Sequence, residues 1–550
     1  MFVRVKTKGP YRYLQIVENH REGKRTVQRV LATLGRADEL AQSGGVDVLL
    51  KSLGRFATQV RVIQGYEEGR LEAGALRHLG PDLVFGRLWK ELGLDTALNR
   101  LLRDRGFEFP VERAVYLAVL HRLFESGSDR AGDRWRRDVL VPGSDGLKLH
   151  HLYRAMRWLG DSRDEVEKAL FQRRRHLFTE CTLAFFDTTS LSFEGRGGES
   201  LGQFGFSKDH RPDRRQMIVG AVLTEDGRPV CCQFWPGNQS DVQALLPVVA
   251  KVKQRFGLKR MCRVADRGMI SADTIEQLEE QKLKYILGAR LRRHKEVRDL
   301  VLDCPGRYRQ VADNLRIKEV WVQGRRYVVC HNPQEAAKDA ADREAILQAL
   351  EDKLRQGAKG LVGNRGFKRF LKVEKGAVSI DQAAVKAEAR FDGKYVLRTN
   401  TDLPAAEVAV QYKRLLLVEQ FFRAAKSLLD TRPIFHQWDA TIQGHVFCSF
   451  LALVLMDELK RRLAQRGMET EWADIRRDLL ALAEVEVRDG EHWYLLRTAL
   501  QGVAGKVCQA AGVSLPPPCD PGKMWCRRII APSQLSDFTL LYVIDCRTWV

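Results

Sequence analysis

From Cys181 the chain changes its hydrophobic period, and the run beyond it admits few folds. CTLAFFDTTSLSFEG is apolar up to Asp187, which emerges near the middle or end of a buried strand. RQMIVGAVLTE and RPVCCQFWPGN read as two further strands joined by a hairpin turn at Asp226-Gly227. A helix over DVQALLPVVAKVKQRFG, a short strand RMCRVADRG ending in Asp266, a helix around ADTIEQLEEQ and a strand KYILGARL complete the run. Antiparallel strands followed by alternating helices and strands predict an α/β fold with a mixed sheet. Two acids then stand at or near strand termini, where burial without a counter-charge is costly.

The stretch QYKRLLLVEQFFRAAKSLLD, Gln411 to Asp430, supplies a third acid. It contains no Gly or Pro and predicts one continuous helix. Tyr412, Glu419 and Lys426 stand seven residues apart, two turns less about 20°, and so form one stripe, with Arg423 one turn after Glu419. Leu415, Leu416, Val418, Phe422, Leu428 and Leu429 flank the stripe and predict a face packed on a core. Taken alone, a solvated face with ordinary i,i+4 pairing accounts for this pattern as well as a site does. Asp187, Asp266 and Glu419 together form a hard-oxygen ligand set suited to Mg²⁺ or Mn²⁺. Two such ions about 3.5–4 Å apart activate a nucleophile and stabilise the leaving oxygen of a phosphoryl transfer. Only a fold can assemble the set, because 79 residues separate the first pair and 153 the second.

Lys and Arg number 91 against 70 Asp and Glu, a net charge of +21 over 550 residues. That excess favours a polyanionic partner, since each neutralised phosphate releases counterions. A membrane partner fits poorly: the longest apolar run, Val446 to Met456, is short of the roughly 20 residues needed to span, and the N-terminus lacks a charged-then-apolar signal pattern. Eleven scattered cysteines predict a reducing cytoplasm and no disulfide framework. Cys519, Cys526 and Cys546 are too irregularly spaced to favour a zinc site over a structural role.

The chain is long enough for several domains. Residues 1–70 read as a small basic β unit and linker, from FVRVKTK, YRYLQIVENHR and RTVQRVLATLG, serving either as packing hairpins or as a DNA contact. Residues 71–180 turn helical, with Pro110 at a helix start and arginines clustered around Trp135; the basic balance favours DNA binding over merely solvated faces. Residues 181–290 are the first part of the α/β core and 396–465 the second, which carries the Glu419 helix. Between them, 291–395 read as a β-rich insertion. There Lys368, Arg369 and Lys372 beside Phe367 and Phe370 suit backbone and base-stacking contacts, or an ordinary basic strand surface. Residues 466–550 hold a helix, a hairpin around EVEVRDGEHWYLLRT, a small helix and a tail beyond Pro518, a candidate docking strand for a second protomer.

FFDTTSLSFEG, VADRGMIS and the Tyr412, Glu419, Lys426 spacing resemble the DDE transposases of bacterial insertion sequences, in the branch with a Tyr-Arg-Glu-Lys helix signature. RPIFH, HVFCSFLALVL, YVVCHNPQEAAKDAADRE and the N-terminal hairpins are similar to the same branch, so the resemblance covers most of the chain up to the C-terminal tail. It implies an RNase H-like mixed-sheet core interrupted by a β-rich insertion, with an N-terminal β-hairpin unit and a helical DNA-binding region. It further implies metal-dependent cleavage at insertion-sequence ends and strand transfer into target DNA. Asp187, Asp266 and Glu419 would then be catalytic and bind two Mg²⁺ ions, with Mn²⁺ able to substitute, while Tyr412, Arg423 and Lys426 hold DNA phosphates. The implied partners are double-stranded DNA, as terminal inverted repeats and target, and a second copy of the chain on paired ends, in the bacterial cytoplasm at the nucleoid. One departure stands out: the signature's Arg position falls on Leu415, and Lys413, Arg414 and Arg423 are the candidates to replace it. Two rival readings are a catalytically inactive DNA-binding protein and an RNase H-like metal-dependent nuclease without strand transfer.

Overall fold

The basic N-terminal runs pair as strands. β1 (Phe2–Lys8), β2 (Tyr11–Glu22) and β3 (Arg25–Arg36) form an antiparallel sheet in the order β1-β2-β3, with Gly9 at φ +61° in the turn between the first two. The computed structural model describes residues 1–22, 25–54, 68–69, 71–174, 183–207, 211–239, 252, 255–256, 262–265, 272–292, 294–356, 367, 369–374, 377–427, 429, 431–489 and 492–521. Asp266, Lys368, Leu428, Cys526, Cys546, most of the helix DVQALLPVVAKVKQRFG and the C-terminal tail beyond Pro521 lie outside the described residues.

The chain divides into two compact units, one of Met1–His78, Leu480–Gln501 and Ser514–Val550, the other of Leu79–Leu479 and Gly502–Val513. In the first unit, Leu71–His78 is not helical as its sequence suggests: it is a strand, β4. It pairs antiparallel with a strand of the C-terminal hairpin. The ladder bonds come from residues far along the chain, so no local period announces them. Gly74 permits the close approach, because a Cβ there would lie 3.0 Å from Glu486 Cβ.

In the second unit, helices begin at Gly80–Glu91 and continue through Leu94–Leu102, Val111–Phe124, Leu149–Asp161 and Arg163–Arg173. Every residue of Val111–Phe124 except Arg113 is buried. Helix Leu149–Asp161 crosses the long helix Asp439–Gln465 at facing glycines; a Cβ on Gly160 would collide with the Ala440 carbonyl, and one on Gly444 with that of Met156. Among the described residues Asp439–Gln465 is the one helix long and apolar enough to cross a membrane, and 83% of its most apolar window is buried inside the fold. Helix Arg163–Arg173 is docked through Glu167, which accepts the Cys232 N–H at 2.9 Å and pairs with Arg255. Burial pushes the Glu167 carboxyl up to about 7.

The run from Leu183 builds the central sheet: β5 (Leu183–Ser192), β6 (Gln216–Thr224), β7 (Pro229–Pro236), β8 (Cys262–Ala265) and β9 (Lys284–Ala289). β5, β6 and β7 form an antiparallel meander, while β8 lies parallel to both β5 and β9. The β6–β7 turn carries Gly227 at φ +81°, as the Asp-Gly pair predicts.

Strands of the β-rich insertion join the core sheet. β10 (Arg309–Ala312), β11 (Leu315–Val322) and β12 (Arg325–His331), with β15 (Lys394–Thr399), extend the same sheet to nine strands in the order β10-β11-β12-β15-β9-β8-β5-β6-β7. β9 would otherwise present an unpaired edge, and β15 covers it in antiparallel register. β13 (Leu371–Glu374) and β14 (Ala377–Ile380) form a separate two-stranded hairpin, and the charged run is the helix Pro333–Gln356. The C-terminal hairpin is β16 (Ala483–Asp489) and β17 (His492–Arg497); with β4 and β18 (Cys519–Pro521) it makes a four-stranded sheet in the first unit.

Candidate active site

Alternation along β5 puts Phe185, Asp187 and Leu191 on the same sheet face. Phe185 and Leu191 are buried there with Val418 and Phe422, the two buried residues of helix Leu416–Ser427. Spaced four apart, Val418 and Phe422 press that helix against the sheet, leaving Glu419 beside the contact and exposed. Asp187 is half-buried mid-strand, opposite Ala221 of β6, and its Oδ1 accepts the Thr188 N–H at 2.7 Å.

The helix predicted over Gln411–Asp430 is not continuous. It breaks at Arg414-Leu415, between Ala405–Lys413 and Leu416–Ser427. Arg414, Leu415, Leu417 and Val418 donate their N–H groups three residues back, to Gln411, Tyr412, Arg414 and Leu415, at 2.9–3.1 Å. Glu225, in the β6–β7 turn, holds the break: its Oε1 accepts from Gln411 Nε2 at 2.7 Å and from Arg414 Nη1 at 2.6 Å. Burial of Leu415 at 7% exposure does the rest. The stripe of Tyr412, Glu419 and Lys426 therefore spans two helices, and heptad spacing is not what aligns them.

A pocket of about 230 Å³ is lined by Asp187, Glu419, Tyr395, Tyr412, Lys413, Leu415 and Leu416. The fold thus brings the first and last acids to one cleft. Tyr412 joins them, its ring stacked on that of Tyr395 with centroids 5.8 Å apart. Arg423 is exposed further along the helix and Lys426 is half-buried in its last turn; neither lines the pocket. Among the described residues the cation lining the pocket is Lys413, whose Nζ lies 3.4 Å from Asn314 Oδ1. Arg414 is committed to Glu225. Tyr395 had no signal in the sequence, because it reaches the pocket only through the position of β15 beside β12 and β9.

Among the described residues the lining side chains offer oxygen donors and no imidazole or thiol, which fits a hard divalent cation. Among the described residues no three His, Cys, Asp or Glu side chains converge as a ligand group; Asp266 is not among them. A larger cavity of about 440 Å³ opens on the opposite sheet face, where Glu279 pairs with Arg398 and Glu296 with Arg325. Its lining includes neither Asp187 nor Glu419.

The chain matches two family descriptions, "Transposase DDE domain" over residues 182–455 and "IS1634 family transposase, N-terminal domain" over residues 2–67. The first match spans all three acids. The chain is therefore a DDE transposase, a phosphoryl-transfer enzyme whose domain implies an RNase H-like core and divalent metal ions. The chain belongs to the IS1634 family of these enzymes, which cleave DNA and transfer strands in the transposition of insertion sequences. No curated protein matches it. Among solved structures, a cryo-EM structure of the piggyBac transposase synaptic complex with hairpin DNA is similar at 10% identity and a TM-score of 0.34, covering 73% of this chain and 78% of that one.

Proposed function

We propose that Asp187, Asp266 and Glu419 are the catalytic metal ligands of this transposase, in the branch with the Tyr-Arg-Glu-Lys signature, and that it cuts at the terminal inverted repeats of its own element. The observation that carries this reading is the shared pocket of Asp187 and Glu419, residues from distant parts of the chain. Two Mg²⁺ ions, or Mn²⁺ in their place, would supply charge neutralisation and nucleophile activation when bound. Asp187 offers a carboxylate from a rigid strand and Glu419 one from a helix pressed on that strand. Water is the first nucleophile and the freed DNA 3′-hydroxyl the second, so the protein's own contribution is positioning. Lys413 and Tyr412 face the acids and suit the phosphates flanking the cut. Arg423 and Lys426 would hold DNA further along the helix. The basic N-terminal sheet and the arginine-rich helical region suit duplex contacts, and two protomers would pair two ends, the C-terminal region contributing to their contact. Eleven cysteines scattered without paired spacing suit the bacterial cytoplasm and the nucleoid.

Joining of a labelled element end to plasmid DNA tests the proposal. Wild type is expected to cut and join with Mg²⁺, and Glu419→Gln to bind the end without cutting. Cleavage surviving in Glu419→Gln would remove that residue from the site, and cutting without joining would favour a nuclease. Lys413→Ala is expected to reduce cleavage more than Arg423→Ala, by about tenfold for the loss of one charge-assisted phosphate contact of about 1.5 kcal/mol. Equal losses in single-turnover cleavage would place Lys413 outside the reacting region.

A further inference from the structure

Behind the pocket, a buried polar chain connects the helical region to the segment that follows the Glu419 helix. Arg122, in the last turn of Val111–Phe124, is 1% exposed. A buried guanidinium must be met by acceptors. Its Nη1 donates to the Gly127 carbonyl, while its Nη2 lies 2.8 Å from His445 Nδ1 and 3.8 Å from Asp129 Oδ1. Because a guanidinium only donates, Nδ1 of His445 accepts and the ring proton sits on Nε2. That nitrogen is 3.2 Å from the Thr431 carbonyl, which accepts it. The ring of His436 packs edge-on to His445 at 5.0 Å, and its Nε2 lies 3.6 Å from Asp129 Oδ2.

Thr431 is bonded in the other direction as well. Its N–H and its hydroxyl both donate to the Ala425 carbonyl, at 3.3 and 2.8 Å, in the last turn of the helix that carries Glu419. Three residues later, Ile434 donates its N–H to the Ser192 carbonyl at 3.0 Å and accepts from the Glu194 N–H at 2.9 Å, a parallel bridge to Phe193 at the end of the strand that carries Asp187. The segment from Thr431 to Ile434 is thus stitched to both acid-bearing elements. Arg122 and His445 hold it from the core side.

We infer that Arg122 and His445 are positioning residues of the acid pocket: through Thr431 they fix the Glu419 helix against the Asp187 strand and so preset the spacing of the two carboxylates. The inference rests on the metal-binding role proposed for Asp187 and Glu419. A divalent cation shared by two carboxylates tolerates little change in their separation. Loss of a group bonded directly to a ligand changes metal affinity by about 10- to 100-fold; support that reaches Glu419 through Thr431 and the helix backbone should fall at or below the lower end of that range.

The test measures Mn²⁺ binding to the full-length protein through the electron paramagnetic resonance signal of the free ion, beside end-DNA binding and thermal denaturation. It compares wild type, Asp187→Asn, His445→Leu, His445→Gln and His445→Asn. His445→Leu removes both contacts and is expected to weaken Mn²⁺ binding by up to about tenfold with end binding unchanged. His445→Gln keeps an N–H donor for Thr431 and is expected to recover part of that loss. If Asp187→Asn binds Mn²⁺ as wild type does, the metal-site reading itself fails. If Asp187→Asn loses the ion while folded His445→Leu keeps wild-type affinity, the positioning role is overturned. Should the leucine variant not fold, His445→Asn decides: its side-chain oxygen stands near the Nδ1 position and can accept from Arg122, but it has no atom at the Nε2 position to donate to Thr431. Wild-type Mn²⁺ affinity in it overturns the inference and weakened affinity supports it.

Discussion

Asp187→Asn is expected to abolish Mg²⁺-dependent cleavage and joining of element-end DNA, by roughly 10³-fold or more, while leaving end binding intact. The magnitude reflects the several kcal/mol that a bound metal contributes to transition-state charge, at about 1.4 kcal/mol per tenfold. The substitution is nearly isosteric. Oδ1 of Asp187 accepts the Thr188 N–H, and the asparagine carbonyl oxygen can take its place; the strand keeps its pairing with Ala221 and the fold is preserved. What is lost is the negative charge facing the pocket. Single-turnover cleavage of a labelled end, with a gel-shift assay on the same duplex, separates the two effects. A variant that cuts at the wild-type rate would rule out Asp187 as a ligand, and one that neither binds nor cuts would point to a structural role.

The second large effect concerns acid stability. Burial, with Arg122 adding to it, holds the His121 imidazole down at about 3, and burial lowers His445 and His436 as well. A base whose folded value lies below its unfolded value stabilises the fold above the unfolded value, near 6.5, and that contribution is lost as the pH falls toward the folded one. For His121 the loss between pH 7.5 and pH 5 is about 2 kcal/mol, from about 1.5 units at about 1.4 kcal/mol each. Glu167 acts with the opposite sign: its raised value of about 7 gives stability at low pH that is lost as the pH rises through that value. Wild type alone would mix the two, so the measurement is urea denaturation of wild type and His121→Phe at both pH values. The ring of His121 packs against Trp135 with centroids 5.4 Å apart, and phenylalanine retains that contact without titrating. Wild type should lose about 2 kcal/mol more than the variant on acidification. Equal losses would mean that His121 is not held neutral.

The strands of the site were legible because their signals are local. Apolar runs ended by Asp-Gly and polar turns located β5, β6, β7 and β9, and Asp187 stood out as an acid inside such a run. The N-terminal sheet was legible for the same reason, its turns marked by Gly9-Pro10 and by the EGK of residues 22–24. The Glu419 helix was legible only in part. Nothing between Lys413 and Leu416 breaks a helix by propensity, and the break comes from Glu225 bonding Gln411 and Arg414 from another element. Heptad spacing thus singled out Glu419, which lines the pocket with Asp187, through a geometry the chain does not adopt. It also put Arg423 and Lys426 level with the acids, whereas the break turns Lys413 into the pocket.

By itself, the amino-acid sequence determined the α/β succession, the strand and helix that carry Asp187 and Glu419, the basic balance that suits DNA, and the departure at Leu415. Each of these is written in alternation, composition or spacing over a few turns. Only the tertiary structure decided that Leu71–His78 is a strand completing the C-terminal hairpin, that the inserted strands continue the core sheet, that Lys413 and Tyr395 line the acid pocket, and that Arg122 reaches the Glu419 helix through His445 and Thr431. These features share one physical origin. A backbone edge or a buried charge must find its hydrogen-bond partner wherever the fold supplies one, and here the partner lies in a distant part of the chain, beyond what a local pattern can encode.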